Sequence, residues 1–355
     1  MLVQGHRNEE HPPPGPCTTV TDLHWRQLDR RLRAIEQSSI ACRCDATRRS
    51  LNCWRSGISI LTPDLVAPVD LLNMRLQRNY LEEIDSEAFR HTKNLFHVDL
   101  SNNFLYTLPE RLFSNNSFLE TIDISNNHVM YVPSDSFLGL DSIENGVEFE
   151  RLKRLRTLDL KENTLSELPD FLFSNCTNLE KLDLSRNKLR YLNGTTFHGL
   201  QNLTSLLLSE NKLYQVHFKT FSTLKNLTTL YMDGNMFPSL PSRTFDYMPK
   251  LAIVKLSGNP WHCDCHALYI SAWVRLNEMK IWDYSPTCVS PWYLEGHFLK
   301  KLKFPELCSG QWASMVNLSP RLPIQQLLAL NVSVNRKPQD SMEQNHDVTT
   351  VDAWH

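Results

Sequence analysis

Four aspartates recur in one phase of this sequence, Asp99, Asp123, Asp159 and Asp183, each set between two aliphatic residues. Carboxylates held side by side can share a proton and do general acid–base work, provided one of them is dried or crowded enough to shift its pKa. A second group, His262, Cys263, Cys265 and His266, offers the donor types of a zinc site. One residue between two cysteines fits a tetrahedral metal poorly, however. Cys176 stands alone and falls at an apolar position, where a thiol packs as a small hydrophobe. The thirteen histidines are otherwise scattered, with no Gly-x-Ser-x-Gly elbow, phosphate-binding loop or His-Glu-x-x-His pair. No catalytic residue, metal site or cofactor is expected, and the chain reads as a binding protein.

The aspartates belong to a longer pattern that must position them. The motif LxxLxLxxNxL returns with anchors at Leu71, Leu95, Leu119, Leu155, Leu179, Leu203, Leu227 and Leu251, every step being 24 residues except one of 36. Asparagine recurs in phase at positions 79, 103, 127, 163, 187, 211, 235 and 259, and phenylalanine at 89, 113, 137, 173, 197, 221 and 245. A fixed internal period overrides any domain count from length and implies a solenoid, in which each repeat buries its apolar face on its neighbours. In the second copy Leu95, Val98 and Leu100 point inward, Asn103 turns the chain, and a short strand over roughly residues 97–101 joins a parallel sheet. The asparagine amides bond backbone groups of adjacent coils, and the phenylalanines stack on the convex side. The aspartates then lie in an open polar sheet, where no dried site and no shifted pKa is expected. The 12 extra residues of the long step, 141–152, bulge outside the strands; their spacing fails as a calcium loop.

Charge and cysteines bound the setting. The formal net charge is -2, which gives no pull on nucleic acid or anionic membrane. No apolar run reaches membrane-spanning length in this chain. Four cysteines precede the repeats (Cys17, Cys42, Cys44, Cys53) and four follow them (Cys263, Cys265, Cys288, Cys308), which suggests disulfide caps and an oxidising compartment. The first fifteen residues carry no apolar stretch and do not read as a signal peptide, a conflict that an incomplete gene model would remove.

The repeats and flanking cysteines resemble the leucine-rich repeat proteins of the typical 24-residue class, with cysteine-rich caps at both ends as in Slit, Toll, Trk-type receptor and peroxidasin ectodomains. That resemblance implies an α/β repeat solenoid, a horseshoe with a parallel concave β-sheet and disulfide caps. It also implies the pairings Cys17–Cys44, Cys42–Cys53, Cys263–Cys288 and Cys265–Cys308. The chain divides into an extension and partly disordered segment at 1–41, with a basic amphipathic stretch at 22–37, and an amino-terminal cap at 42–68. Eight repeats follow at 69–259, then a carboxy-terminal cap at 260–308 and a disordered tail at 309–355.

A preorganised concave face is where a protein partner would bind. One outward column reads Arg75, Asp99, Asp123, Asp159, Asp183, Leu207, Tyr231 and Lys255; the next includes His97 and Ile253. The aspartates could attract a basic partner, although Leu-Asp-Leu is common wording in this repeat class. Leu207, Tyr231 and Ile253 form an exposed apolar group of the kind found at interface centres. N-glycosylation sequons at Asn115, Asn175, Asn193, Asn202 and Asn226, with two more in the tail at Asn317 and Asn331, point to a secreted glycoprotein. The expected function is recognition of a cell-surface, matrix or signalling protein. The alternatives are the recognition module of a truncated receptor or peroxidasin-like enzyme, or an intracellular adaptor.

Overall fold

The computed structural model of the protein describes residues 42–45, 49–63, 71–137 and 154–308. Ten strands of three residues form one sheet. Arg43–Asp45 pairs antiparallel with Ser50–Asn52, and from there every neighbour is parallel: Asn73–Arg75, His97–Asp99, Thr121–Asp123, Thr157–Asp159, Lys181–Asp183, Ser205–Leu207, Thr229–Tyr231 and Ile253–Lys255. The strands end at the aspartate position, two residues short of the span read from sequence. Register is kept across all eight parallel repeats, so residues in equal phase are direct neighbours. It holds through the long step, where Thr121 pairs with Thr157 and Asp123 with Asp159. The inserted residues 141–152, like the extension, the tail and the tail sequons, lie outside the described residues.

Each strand is too short to hold itself, and the core explains why the array is stable. The central residue of every strand from Met74 to Val254 is fully buried, as are the leucine anchors and the apolar residues two positions beyond each strand centre, from Leu76 to Leu256. Such a layer is worth roughly 1.5–3 kcal/mol per large side chain removed from water. The phenylalanines form the second wall. Phe89 stacks on Phe113, Phe113 on Phe137 and Phe137 on Phe173, with centroids 5.3–6.5 Å apart; Phe245 instead meets Tyr269 and Trp273 of the carboxy-terminal cap.

Between strand and wall the chain must turn inside the protein, and the asparagines make that possible. Asn187 donates to the carbonyls of Leu160, Leu184 and Ser185, and its oxygen accepts from the N–H of Leu165 in the preceding coil. Asn103 does the same, joining Leu76 and Leu100 through its nitrogen and Asn79 and Leu81 through its oxygen. The residue just before each asparagine sits in the left-handed region, from Arg78 to Gly258. That conformation costs an ordinary residue about a kcal/mol, and the amide bonds on either side offset it.

The two ends are closed differently. At the start, Cys42–Cys53 ties the antiparallel strand over the first coil. The family-implied partner pair Cys17–Cys44 falls outside the described residues. At the far end, Cys263–Cys288 and Cys265–Cys308 hold a cap built on the helix Leu268–Leu276, which buries Leu268 through Val274 against the last coil. Both cysteines of the His-Cys-x-Cys-His run are therefore consumed as disulfides. Cys176 is fully buried, and burial pushes its thiol up to about 12. No helix among the described residues is long and apolar enough to cross a membrane.

Replacing Asn187 with Leu keeps the volume but strands buried carbonyls and an N–H, at 1–3 kcal/mol for each group left unpaired. Asn187→Leu should lower the unfolding free energy by at least about 3 kcal/mol in equilibrium denaturation. Lys212→Ala, at an exposed position, should change it by less than about 1 kcal/mol.

Candidate functional site

The parallel register brings the predicted concave residues together as two straight columns about 4.8 Å apart per step. Arg75, Asp99, Asp123, Asp159, Asp183, Leu207, Tyr231 and Lys255 stand in line, and His97 and Ile253 lie in the neighbouring column. The face is graded, with an acidic stretch over four strands followed by an apolar and cationic stretch over three.

Hydrogen bonds give the aspartates a local task. The carboxylate of Asp99 accepts from the N–H and hydroxyl of Ser101, Asp123 from the N–H of Ser125, Asp159 from that of Lys161, and Asp183 from both groups of Ser185. Each one caps the chain as it leaves the strand, the same bond a side chain makes in an Asx turn. Their recurrence is thus explained by turn geometry before any partner is invoked.

One expectation fails at this point. The face is not uniformly wet, and Asp159 does carry a shifted pKa. Burial raises it to about 6, assisted by the charges of Asp183 and Asp123 on either side and opposed by the Lys161 N–H bond and the Lys181 charge. The physical reason is the flat register, which stacks three carboxylates in line on a half-buried surface. Burial likewise holds His97 below the usual imidazole range, with Asp99 pulling the other way. Neither residue is joined to a nucleophile or an orienting base, so both shifts reflect burial on the sheet.

A second expectation is modified. Leu207, Tyr231 and Ile253 are half-buried rather than fully exposed, because neighbouring side chains on a parallel sheet shield one another. The Lys255 ammonium lies 4.1 Å from the Tyr231 ring centroid, a cation–π contact. The cap extends this face instead of folding over it. Ile281 bridges Val254 in parallel, which aligns Trp282 with Lys255, and Trp282 is 64% exposed. Asp283 then closes the sheet by accepting from the N–H groups of Leu256 and Ser257. Sequence reasoning missed Trp282 because nothing in the repeat phase shows that 281 pairs with 254.

The sequon asparagines sit off the concave face. Asn202 and Asn226 precede their strands and bond the previous coil at Thr177 and Gln201. Asn193 is the most constrained: its oxygen accepts from Thr195 and Thr196, and its nitrogen donates to Asp170.

Similarity to known proteins agrees with this architecture. Residues 70–129, 153–213 and 201–260 match the leucine rich repeat family. A 49-residue stretch is 41% identical to carboxypeptidase N subunit 2 of Mus musculus, covering 14% of this chain and only 9% of that protein. Among solved structures, one match is a chain from the octameric complex of Latrophilin 3, Unc5D and FLRT2 (LRR). It has 22% identity and a TM-score of 0.61, and 73% of this chain overlaps 76% of that one. Another is human 5T4, the Wnt-activated inhibitory factor 1 or trophoblast glycoprotein, at 22% identity and a TM-score of 0.59, over 76% of this chain and 97% of that one. At that identity both likenesses establish the fold alone.

The raised pKa of Asp159 has a thermodynamic consequence. The unfolded chain loses this proton near the ordinary aspartate range and the folded chain near 6, so between those values the folded state binds more protons. Stability contributed by this group therefore increases as pH falls from 7 toward 4. Asp159→Asn should be more stable than the parent at pH 7.5, and the difference should shrink at pH 5, as read by urea unfolding at both values. An unchanged gap would mean the carboxyl is not shifted.

Proposed function

Since the chain is a leucine-rich repeat protein closed by disulfide caps of the kind found on extracellular members of that family, we propose that it recognises an extracellular protein through its concave face. The observation that carries this reading is the carboxy-terminal part of that face, where Leu207, Tyr231, Lys255 and Trp282 fall in one column. Aromatic side chains with few rotatable bonds, half held by neighbours, lose little entropy when covered. A cation resting on a tyrosine ring can be shared with a partner carboxylate. The acidic stretch from Asp99 to Asp183 adds a steering field for basic side chains, so the partner surface would present an acidic or apolar element at one end and basic residues at the other.

The extracellular setting is supported by the three disulfides and by sequons placed away from the concave columns. A cell-surface, matrix or signalling ligand fits that setting, and the same module could serve within a longer receptor or enzyme.

The test is a binding screen of the purified chain against cell-surface and matrix proteins, followed by variants of the column. Tyr231→Ala and Trp282→Ala should each weaken the partner found by tenfold or more while leaving the melting transition in place. Unchanged affinity in both folded variants would move the site off the concave face.

A further inference from the structure

The edge of the solenoid that follows the asparagine turns carries a second surface, in which every turn is bonded to the last. The N–H of Phe104 donates to Leu81, that of His128 to Leu105, that of Thr164 to Val129 and that of Lys188 to Leu165. Met130 donates to Tyr106, and Thr107 bridges Tyr131. Three outward columns result, one, three and four residues after each asparagine. In the first three turns they hold an aromatic cluster, with Glu82 and Glu83 at its outer end. Tyr80 stacks on Phe104, and His128 meets both Phe104 and Tyr106. Tyr80, Tyr106, Met130 and Tyr131 are 61%, 50%, 58% and 45% exposed. With Phe104 that is on the order of 500 Å² of exposed side chain, taking about 200 Å² for each. A monomer's largest patch is seldom bigger.

We propose that this edge joins two copies of the chain about a two-fold axis through the third turn, at Met130. The argument is charge and shape complementarity under that one operation. Such an axis exchanges the first turn with the fifth and the first column with the third, since a two-fold interface pairs residue i with j and j with i. Glu82 then faces Arg190 of the other copy and Glu83 faces Lys188. All four are exposed, and none of them forms an ion pair among the described residues. Tyr80 falls on Tyr191, His128 on Tyr131, and Met130 on itself. Under this operation the Tyr80 ring enters an open recess lined by Ser166, Glu167, Arg190, Tyr191 and Asn193. A shift by one turn does less well: an axis one turn earlier removes the basic pair from the contact, and one turn later sets the acidic pair against Met236 and Pro238. The sequons at Asn202 and Asn226 lie on the opposite edge, before the strands, whereas Asn193 lines the recess with its amide held by Asp170, so the interface requires that Asn193 carry no glycan. The concave face stays open, so the dimer presents two binding faces.

Aromatic and charged cores of this size bury roughly 800 Å² per partner once the rim is included. Sedimentation equilibrium of the chain freed of N-glycans should show twice the monomer mass at roughly 100 µM, a concentration at which such an interface associates. Met130→Glu places two like charges at the axis and should weaken association at least tenfold. The pair Glu82→Lys with Glu83→Lys should do the same, as should Lys188→Glu with Arg190→Glu. All four reversals in one chain should restore the dimer, an outcome that generalised misfolding cannot produce. A monomer at that concentration, a dimer indifferent to Met130→Glu, or no restoration in the fourfold variant would each overturn the proposal.

Discussion

A buried amide repeated once per coil is the constraint from which the rest of this structure follows. Strands of three residues leave most backbone groups of each coil outside the sheet, and many of them are buried where solvent does not reach. The asparagine side chain resolves this by donating to its own coil and the previous one and accepting from the previous coil's N–H. Because its bonds reach 22 to 27 residues back, it ties the register of neighbouring coils together, and register in turn makes the concave columns straight. A polar residue at the centre of an otherwise apolar layer is tolerable only when every arm is satisfied.

The same logic explains the caps. A solenoid whose coils satisfy one another has two coils that lack a neighbour, and an open parallel edge invites further strands. The amino end is closed by turning one strand antiparallel and pinning it with Cys42–Cys53. The carboxy end uses Asp283 in place of a following coil, one carboxylate oxygen accepting two backbone N–H groups. Trp261 fills the core below, and two disulfides fix the loop that carries Asp283 and Trp282. The cap therefore does two things at once, ending the sheet and lengthening its outward face.

How much of this was legible depended on the periodicity of each feature. The leucine, asparagine and phenylalanine phases and the placement of Cys176 in the core are sequence-readable, because burial repeats with the coil, whereas the cap pairings within the described residues follow from the family resemblance alone. The aspartate column was visible but ambiguous: only the bonds to Ser101, Ser125, Lys161 and Ser185 show that its first task is to cap turns. The shift at Asp159 comes first from burial and then from the carboxylates on either side, and the depth of a strand residue on the concave face is not written in the spacing. Trp282 could not be placed because it enters the face from outside the repeat. The edge aromatics are in phase, at one, three and four residues after the asparagines, but in sequence they do not differ from solvated turn positions, since their types change from one coil to the next.

Hydrogen exchange resolved to single amides tests the central claim most directly. The N–H groups of Leu105, Val129, Leu165, Leu189 and Leu213 lie outside the strands, and each donates to an asparagine side chain. If the ladder holds the coils as one preorganised body, these amides will be protected as strongly as those of the strand centres and will open together with them. Rapid, independent exchange at these positions, beside well-protected strands, would contradict the account: the asparagines would then be passengers on a sheet that organises itself.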